Sequence, residues 1–235
     1  MAASINTNYG AAVAAQSLAA TSRDLEKTQN RVTTGLKIAS AKDNGAIWAI
    51  ATTQKANSKA LDARINTLQR TQSVNDVGLA AGDSIMAALT EMKSLEAAIL
   101  AGGSGTASYQ ADYDALRTEI GTIVTAATFD GTAALTTPAN GTPAATVTAG
   151  SVQSAIDAWA GTLQTLGTAS KSTERTLAFT TKLQDALEAG AGNLVDADLA
   201  KESAKLTALQ TKQQLGVQAL SIANQSSGIL LSLFR

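Results

Sequence analysis

Residues 61–99 read LDARINTLQRTQSVNDVGLAAGDSIMAALTEMKSLEAAI. Leu61, Ile65, Leu68, Leu79, Ile85, Leu89, Met92, Leu95 and Ile99 fall mostly in steps of three and four, which lines them along one side of an α-helix. The pattern extends back through Ile50 and Ile47 and forward to the glycines after Ala101, so one helix is predicted over 43–101. At the α-helical rise it is about 85 Å long. A globular domain rarely needs such an element, whereas a rod does. Gln72 and Asn75 interrupt the stripe, so the buried side is not uniformly apolar. Ser40-Ala41-Lys42-Asp43 has the spacing of a capping box and marks the start. Gly102-Gly103-Ser104-Gly105 is a firm stop.

The rest of the chain repeats this character. A first helix is predicted over 4–33, with Leu18, Leu25 and Val32 seven residues apart and Ala11, Ala14, Thr21 and Thr28 filling a thin seam. Gly35 ends it. A third helix covers 107–127 through Tyr113, Leu116, Ile120, Ile123 and Ala127. Phe129-Asp130-Gly131 signals a hairpin, and residues 132–150 hold both prolines. Thr146, Val147 and Thr148 are expected to form a strand there. A fourth helix covers 151–188 and breaks at Gly190-Ala191-Gly192-Asn193. A fifth covers 196–232, where Leu199, Leu206, Gln213 and Leu220 step by seven beside Leu209, Gly216, Ala223 and Leu230. The expected fold is mainly α: a long antiparallel helical rod or coiled coil with a small β-hairpin near 129–150. Residues 1–40 and 195–235 should form a unit of paired terminal helices, and 41–194 a helical rod with its short β or loop tip at 129–150.

Composition narrows the chemistry. There is no cysteine and no histidine. Disulfides, thiolate sites and Ser-His-Asp or Cys-His hydrolysis are therefore excluded. Asp112 with Asp114 and Asp196 with Asp198 are carboxylate pairs, but near helix starts such groups complement the dipole or face water. No catalytic residue, metal site or cofactor is expected. Net charge is −1 and the basic residues are scattered, so no nucleic-acid surface is expected either. The charge is uneven: residues 101–170 hold Arg117 as their sole base, against Asp112, Asp114, Glu119, Asp130 and Asp157. The first basic residue is Arg23, so a charged leader preceding an apolar stretch is absent. No window approaches a membrane span, and composition alone reads as cytoplasmic.

Particular residues add a resemblance. Thr34-Gly35-Leu36-Lys37-Ile38 running into Ser40-Ala41-Lys42-Asp43-Asn44 resembles the N-terminal signature of bacterial flagellins. Glu119-Ile120 with Thr128-Phe129-Asp130-Gly131 is similar to the flagellin Glu-Ile then Thr-x-Phe-Asn-Gly segment, with Asp for Asn. Asp196-Ala197-Asp198-Leu199-Ala200-Lys201-Glu202, Ala223-Asn224-Gln225 and the ending Leu231-Ser232-Leu233-Phe234-Arg235 resemble the flagellin C-terminal region. The matches keep the family order and cover roughly 1–131 and 151–235. Ile47-Trp48 stands where many relatives have Gly-Leu, and the short middle is similar to alphaproteobacterial flagellins.

The resemblance implies a structural subunit of the flagellar filament, not an enzyme, that joins copies of itself head to tail for swimming motility. Leu18, Leu25, Val32, Leu199, Leu206, Leu209, Leu220 and Leu230 would form the self-assembly stripe of an inner-tube coiled coil. Roughly residues 1–40 and 195–235 would be mobile in the monomer and fold on assembly. Phe129, Asp130 and Gly131 would form the hairpin where supercoiling switches. The protein would be secreted to the extracellular flagellum by the flagellar export apparatus with an export chaperone, and would meet hook-associated and cap proteins. The Thr-rich stretch 132–150 permits O-glycosylation. Flagellins sensed by the host Toll-like receptor carry Leu-Gln-Arg-x-Arg-Glu-Leu on the second helix. Here Leu89, Glu91, Lys93, Ser94 and Leu95 lie in the matching run, with Glu91 reversing an Arg charge, so weak or no receptor recognition is expected. Competing readings are a hook–filament junction protein and a signalling coiled-coil rod.

Overall fold

The computed structural model describes the backbone of residues 8–233 and the side chains of 8–225. Among these are five α-helices and one two-stranded hairpin: α1 (Tyr9–Thr34), α2 (Gly45–Ala101), α3 (Thr106–Ala126), β1 (Thr128–Phe129), β2 (Thr132–Ala133), α4 (Ser151–Val195) and α5 (Leu199–Leu233). The expected class, mainly α with a small hairpin, is what is found. Residues 4–7 of the expected first helix lie outside the described residues.

Two compact units share the chain: Met1–Asn57 with Ala186–Arg235, and Ser58–Asp185. In the first, α1 and α5 run antiparallel. Asn8 caps α1 by accepting from the Ala11 N–H, and its amide donates to the Ala223 carbonyl at 2.7 Å. At the other end Arg31 Nη1 meets Glu202 Oε1 at 3.0 Å. Gly35 adopts φ 71°, the left-handed stop that closes α1. The connections after α1 and after α4 are then clipped together. Lys37 N–H donates to the Val195 carbonyl at 2.7 Å, Ala197 N–H to Gly35 at 2.8 Å, and Leu36 pairs with Asp196 as an isolated bridge. Ile38, Ala51 and Val195 form a small core beneath the clip.

Ser58–Asp185 is built on α2 and α4, antiparallel by the contacts Asp62–Gln184, Gln72–Ser170, Lys93–Gln153 and Glu96–Ser151. Where α3 joins them, the core is apolar: Ile85, Leu89, Met92, Tyr113, Ile120, Val152 and Trp159 are fully buried or nearly so. Beyond α3 the buried positions turn small and polar, with Ser58, Asn75, Ser170 and Thr180. Glu96, itself buried, accepts from the Ser151 N–H at 3.1 Å, so an α2 carboxylate stabilises the positive end of α4.

Four local expectations need correction. The capping-box residues do not cap α2: the Asp43 carboxylate folds back onto the Ser40 and Ala39 N–H groups in a separate turn. Asn44 is the cap, accepting from Ile47 N–H, and the helix begins at Gly45. No strand forms at 146–148. Side-chain donors hold the carbonyls just before it in irregular chain: Trp159 Nε1–H reaches Gly141, Arg117 Nε–H reaches Pro143, and the Tyr113 hydroxyl reaches Ala144. The hairpin is therefore confined to 128–133, and 134–150 is irregular chain packed on α3 and α4. Gly190 to Asn193 does not break α4, which continues to Val195. Each interior glycine costs about 1 kcal/mol, but burial of Ala191 and Val195 offsets this. The last helix starts at Leu199 rather than 196, because residues 196 and 197 pair with the α1–α2 connection; the Asp198 carboxylate accepts from Lys201 N–H.

Candidate functional site

The α1/α5 pair places the sequence stripe as follows. On α1, Leu18, Thr21, Leu25, Thr28 and Val32 step by three and four into the seam, with Leu25 and both threonines buried and Leu18 and Val32 half-buried. On α5, Leu206, Leu209, Gln213, Gly216 and Leu220 do the same, and Leu209 is the buried one. Gly216 lets the helices close: a Cβ there would sit 3.2 Å from Leu18 Cδ1. Leu199, at the start of α5, is 50% exposed and outside the seam. The side chain of Leu230 lies outside the described residues.

Other apolar side chains lie outside the seam. Tyr9 and Val13 on α1, with Leu215 (60% exposed), Val217 and Ile222 (68% exposed) on α5, have no cover within the described chain. Periodicity pointed to the seam leucines and missed these residues. Apolar positions off the heptad were the available signal. Leu215 and Ile222, seven residues apart, share one flank of α5, and exposed apolar side chains grouped in this way offer a surface for protein association.

The hairpin has the geometry that Asp-Gly favours. Asp130 and Gly131 both adopt positive φ, 50° and 72°, as a type I′ turn requires. Thr128 pairs with Ala133 and Phe129 with Thr132. The Asp130 carboxylate is ion-paired with Arg70 of α2. In the run 89–95, Leu89 is buried and Leu95 half-buried in the α2–α3–α4 core, while Glu91, Lys93 and Ser94 face solvent. Lys93 hydrogen-bonds Gln153, and the Ser94 hydroxyl donates to the Glu91 carbonyl.

Among the described residues no cluster of three metal-ligating side chains occurs, and no helix is long and apolar enough to cross a membrane. The carboxylates Asp112 and Asp114 sit on different flanks of α3, and Asp198 is spent as a cap.

A family model of the bacterial flagellin N-terminal helical region matches residues 5–139, and one of the C-terminal helical region matches 149–234. The chain belongs to the bacterial flagellin family. Several relatives are flagellins matched along nearly their whole length. Flagellin FljK of Caulobacter vibrioides is 46% identical, with 99% of this chain and 98% of that protein covered. A flagellin of Brucella melitensis is 36% identical and flagellin C of Rhizobium meliloti 29%, each with 99% of both chains covered. All three come from alphaproteobacteria, as the short middle suggested. This flagellin is thus a structural, self-polymerising subunit of the flagellar filament, and its role is motility. Neither the junction-protein nor the signalling-rod reading is favoured.

Proposed function

We propose that this flagellin polymerises head to tail through its terminal helices, with α1 and α5 of successive copies lining an inner tube. The observation behind this reading is the pair itself. Its seam buries two threonines for two leucines, while Tyr9, Val13, Leu215, Val217 and Ile222 stay exposed. Such a seam offsets little ordering entropy alone. Covering the outer apolar set with neighbouring copies makes stability collective. A heterologous contact of this kind does not close, so it grows as a filament. Purified chain seeded with short filament fragments should give tubular filaments by electron microscopy. Persistent monomers or small oligomers would refute the reading.

The same weak seam suits secretion. A pair that opens readily can thread a narrow channel, in keeping with passage through the flagellar export apparatus, escort by an export chaperone and meeting with hook-associated and cap proteins outside the cell. Cells lacking the export apparatus should retain the protein. At the hairpin, Asp130, Gly131 and the Arg70 ion pair form the candidate switch between two packings of the filament. Exposed Glu91 stands where receptor-activating flagellins carry Arg, so a Toll-like receptor reporter should respond far less than to an enteric flagellin. Thr136, Thr137, Thr142, Thr146 and Thr148 are exposed and open to O-glycosylation, which would appear as a subunit mass above 23.8 kDa in dissociated native filaments.

A further inference from the structure

We infer that the outer face of the second half of α4 docks against α3 of a second copy of this chain, an inference that rests on the filament reading above. Ser170 and Thr180 are buried, and Gln184 bonds Asp62, so this side of α4 faces α2. On the opposite side Lys171, Arg175, Phe179 and Lys182 follow one another by four, four and three residues, and all are exposed. Phe179 is 64% exposed. The three cations make no ion pair or hydrogen bond among the described residues. Glu174 and Asp185 border the face without reversing its sign. A large aromatic side chain set among unpaired charges has the composition of an interface anchor and its rim.

The complementary pattern lies on α3. Asp112, Leu116 and Glu119 have the same spacing, four then three, as Arg175, Phe179 and Lys182. Asp112 and Glu119 are exposed, make no hydrogen bond or ion pair among the described residues, and flank Leu116, which packs partly on the chain's own core and leaves the rest of its surface open. Charges seven residues apart are about 10.5 Å apart along either helix. One helix therefore presents plus, aromatic, plus, and the other minus, aliphatic, minus, at equal intervals. Arg117, the one base among residues 101–170, is engaged with the Pro143 carbonyl and does not neutralise the acidic flank. The charges of neither set are paired among the described residues, and each set fits the other. The occupant of the α4 face is thus α3 of another copy, a heterologous contact compatible with open-ended growth.

The test is a charge exchange in the full-length chain, read by sedimentation and electron microscopy of seeded filaments after circular dichroism shows unchanged helix content. Arg175→Glu with Lys182→Glu, and separately Asp112→Lys with Glu119→Lys, should each raise the critical concentration for polymerisation at least about tenfold, because like charges then meet. An equimolar mixture of the two variants should polymerise near the wild-type concentration, since alternate copies pair opposite charges. The fourfold exchange in one chain should do the same. Variants that polymerise like wild type, or a mixture and fourfold exchange that both fail, would overturn the inference. Wild-type protein that forms no filaments would instead overturn the filament reading beneath it.

Discussion

Trp159 is fully buried, and its indole N–H donates to the Gly141 carbonyl at 2.8 Å. Trp159→Phe leaves that carbonyl without its donor and should lower stability by about 1–3 kcal/mol, seen as a drop in Tm with faster proteolysis within 134–150. Gly78→Ala is a packing test: a Cβ would stand 2.9 Å from the Ala134 carbonyl oxygen and 2.7 Å from Leu166 Cδ2. Overpacking of this kind costs about 1–3 kcal/mol, measurable by denaturant titration. Tyr113 is buried under the same segment, and burial above all raises its phenol beyond the ordinary 10.0. A raised value means that the neutral form is favoured in the fold. Its contribution is full below the ordinary tyrosine range and is lost as pH climbs through the native value. Stability should therefore fall in alkali, less steeply in Tyr113→Phe, as followed by ultraviolet difference spectroscopy. The Tyr113 stripe was legible from its three–four spacing with Leu116 and Ile120. Trp159 was not, because periodicity does not show which side chain has a carbonyl within reach of its donor.

The hairpin is the element in which local sequence alone decides the conformation. Asp130-Gly131 demands left-handed backbone at both positions, and both have it. Gly131→Ala, with φ at 72°, should cost about 1 kcal/mol. Under the switch proposal it should also alter the supercoil of reconstituted filaments, visible by dark-field microscopy. The helices were equally readable, since α2 ends at Ala101 where the glycine run begins. The errors fell where tertiary contacts override propensity. Thr146, Val147 and Thr148 have strand-forming side chains, yet the neighbouring carbonyls are claimed by α3 and α4 donors. Gly190 and Gly192 look like stops, yet the buried flank formed by Ala191 and Val195 keeps α4 going. The acidic residues at 196 and 198 read equally well as helix start or loop, and only the partner at Leu36 decides between them.

At the scale of the whole molecule, the two units differ in what holds them. Residues 58–185 contain Ile85, Leu89, Met92, Tyr113 and Trp159 without exposed surface. The terminal pair relies on Leu25, Leu209 and two threonines. In the monomer, amide hydrogen exchange should be fast in α1 and α5 and slow in the 85–96 and 113–120 turns, with the difference shrinking in filaments. Uniform protection would contradict collective stabilisation. The seam leucines were readable as heptads, but the exposed set was not, because a sequence does not say how many helices will surround a stripe. The Arg31–Glu202 contact joins residues 171 positions apart, and Asn8–Ala223 residues 215 apart. A chain that emerges from a ribosome or a pore one end first releases one of these partners long before the other. The leading helix must wait, unpaired, until nearly every other residue has followed. Under the proposed assembly through the terminal helices, closure of the pair would act as a completion signal: a truncated or stalled chain would lack the finished surface, and only a chain carrying both helices would be competent to join a growing end.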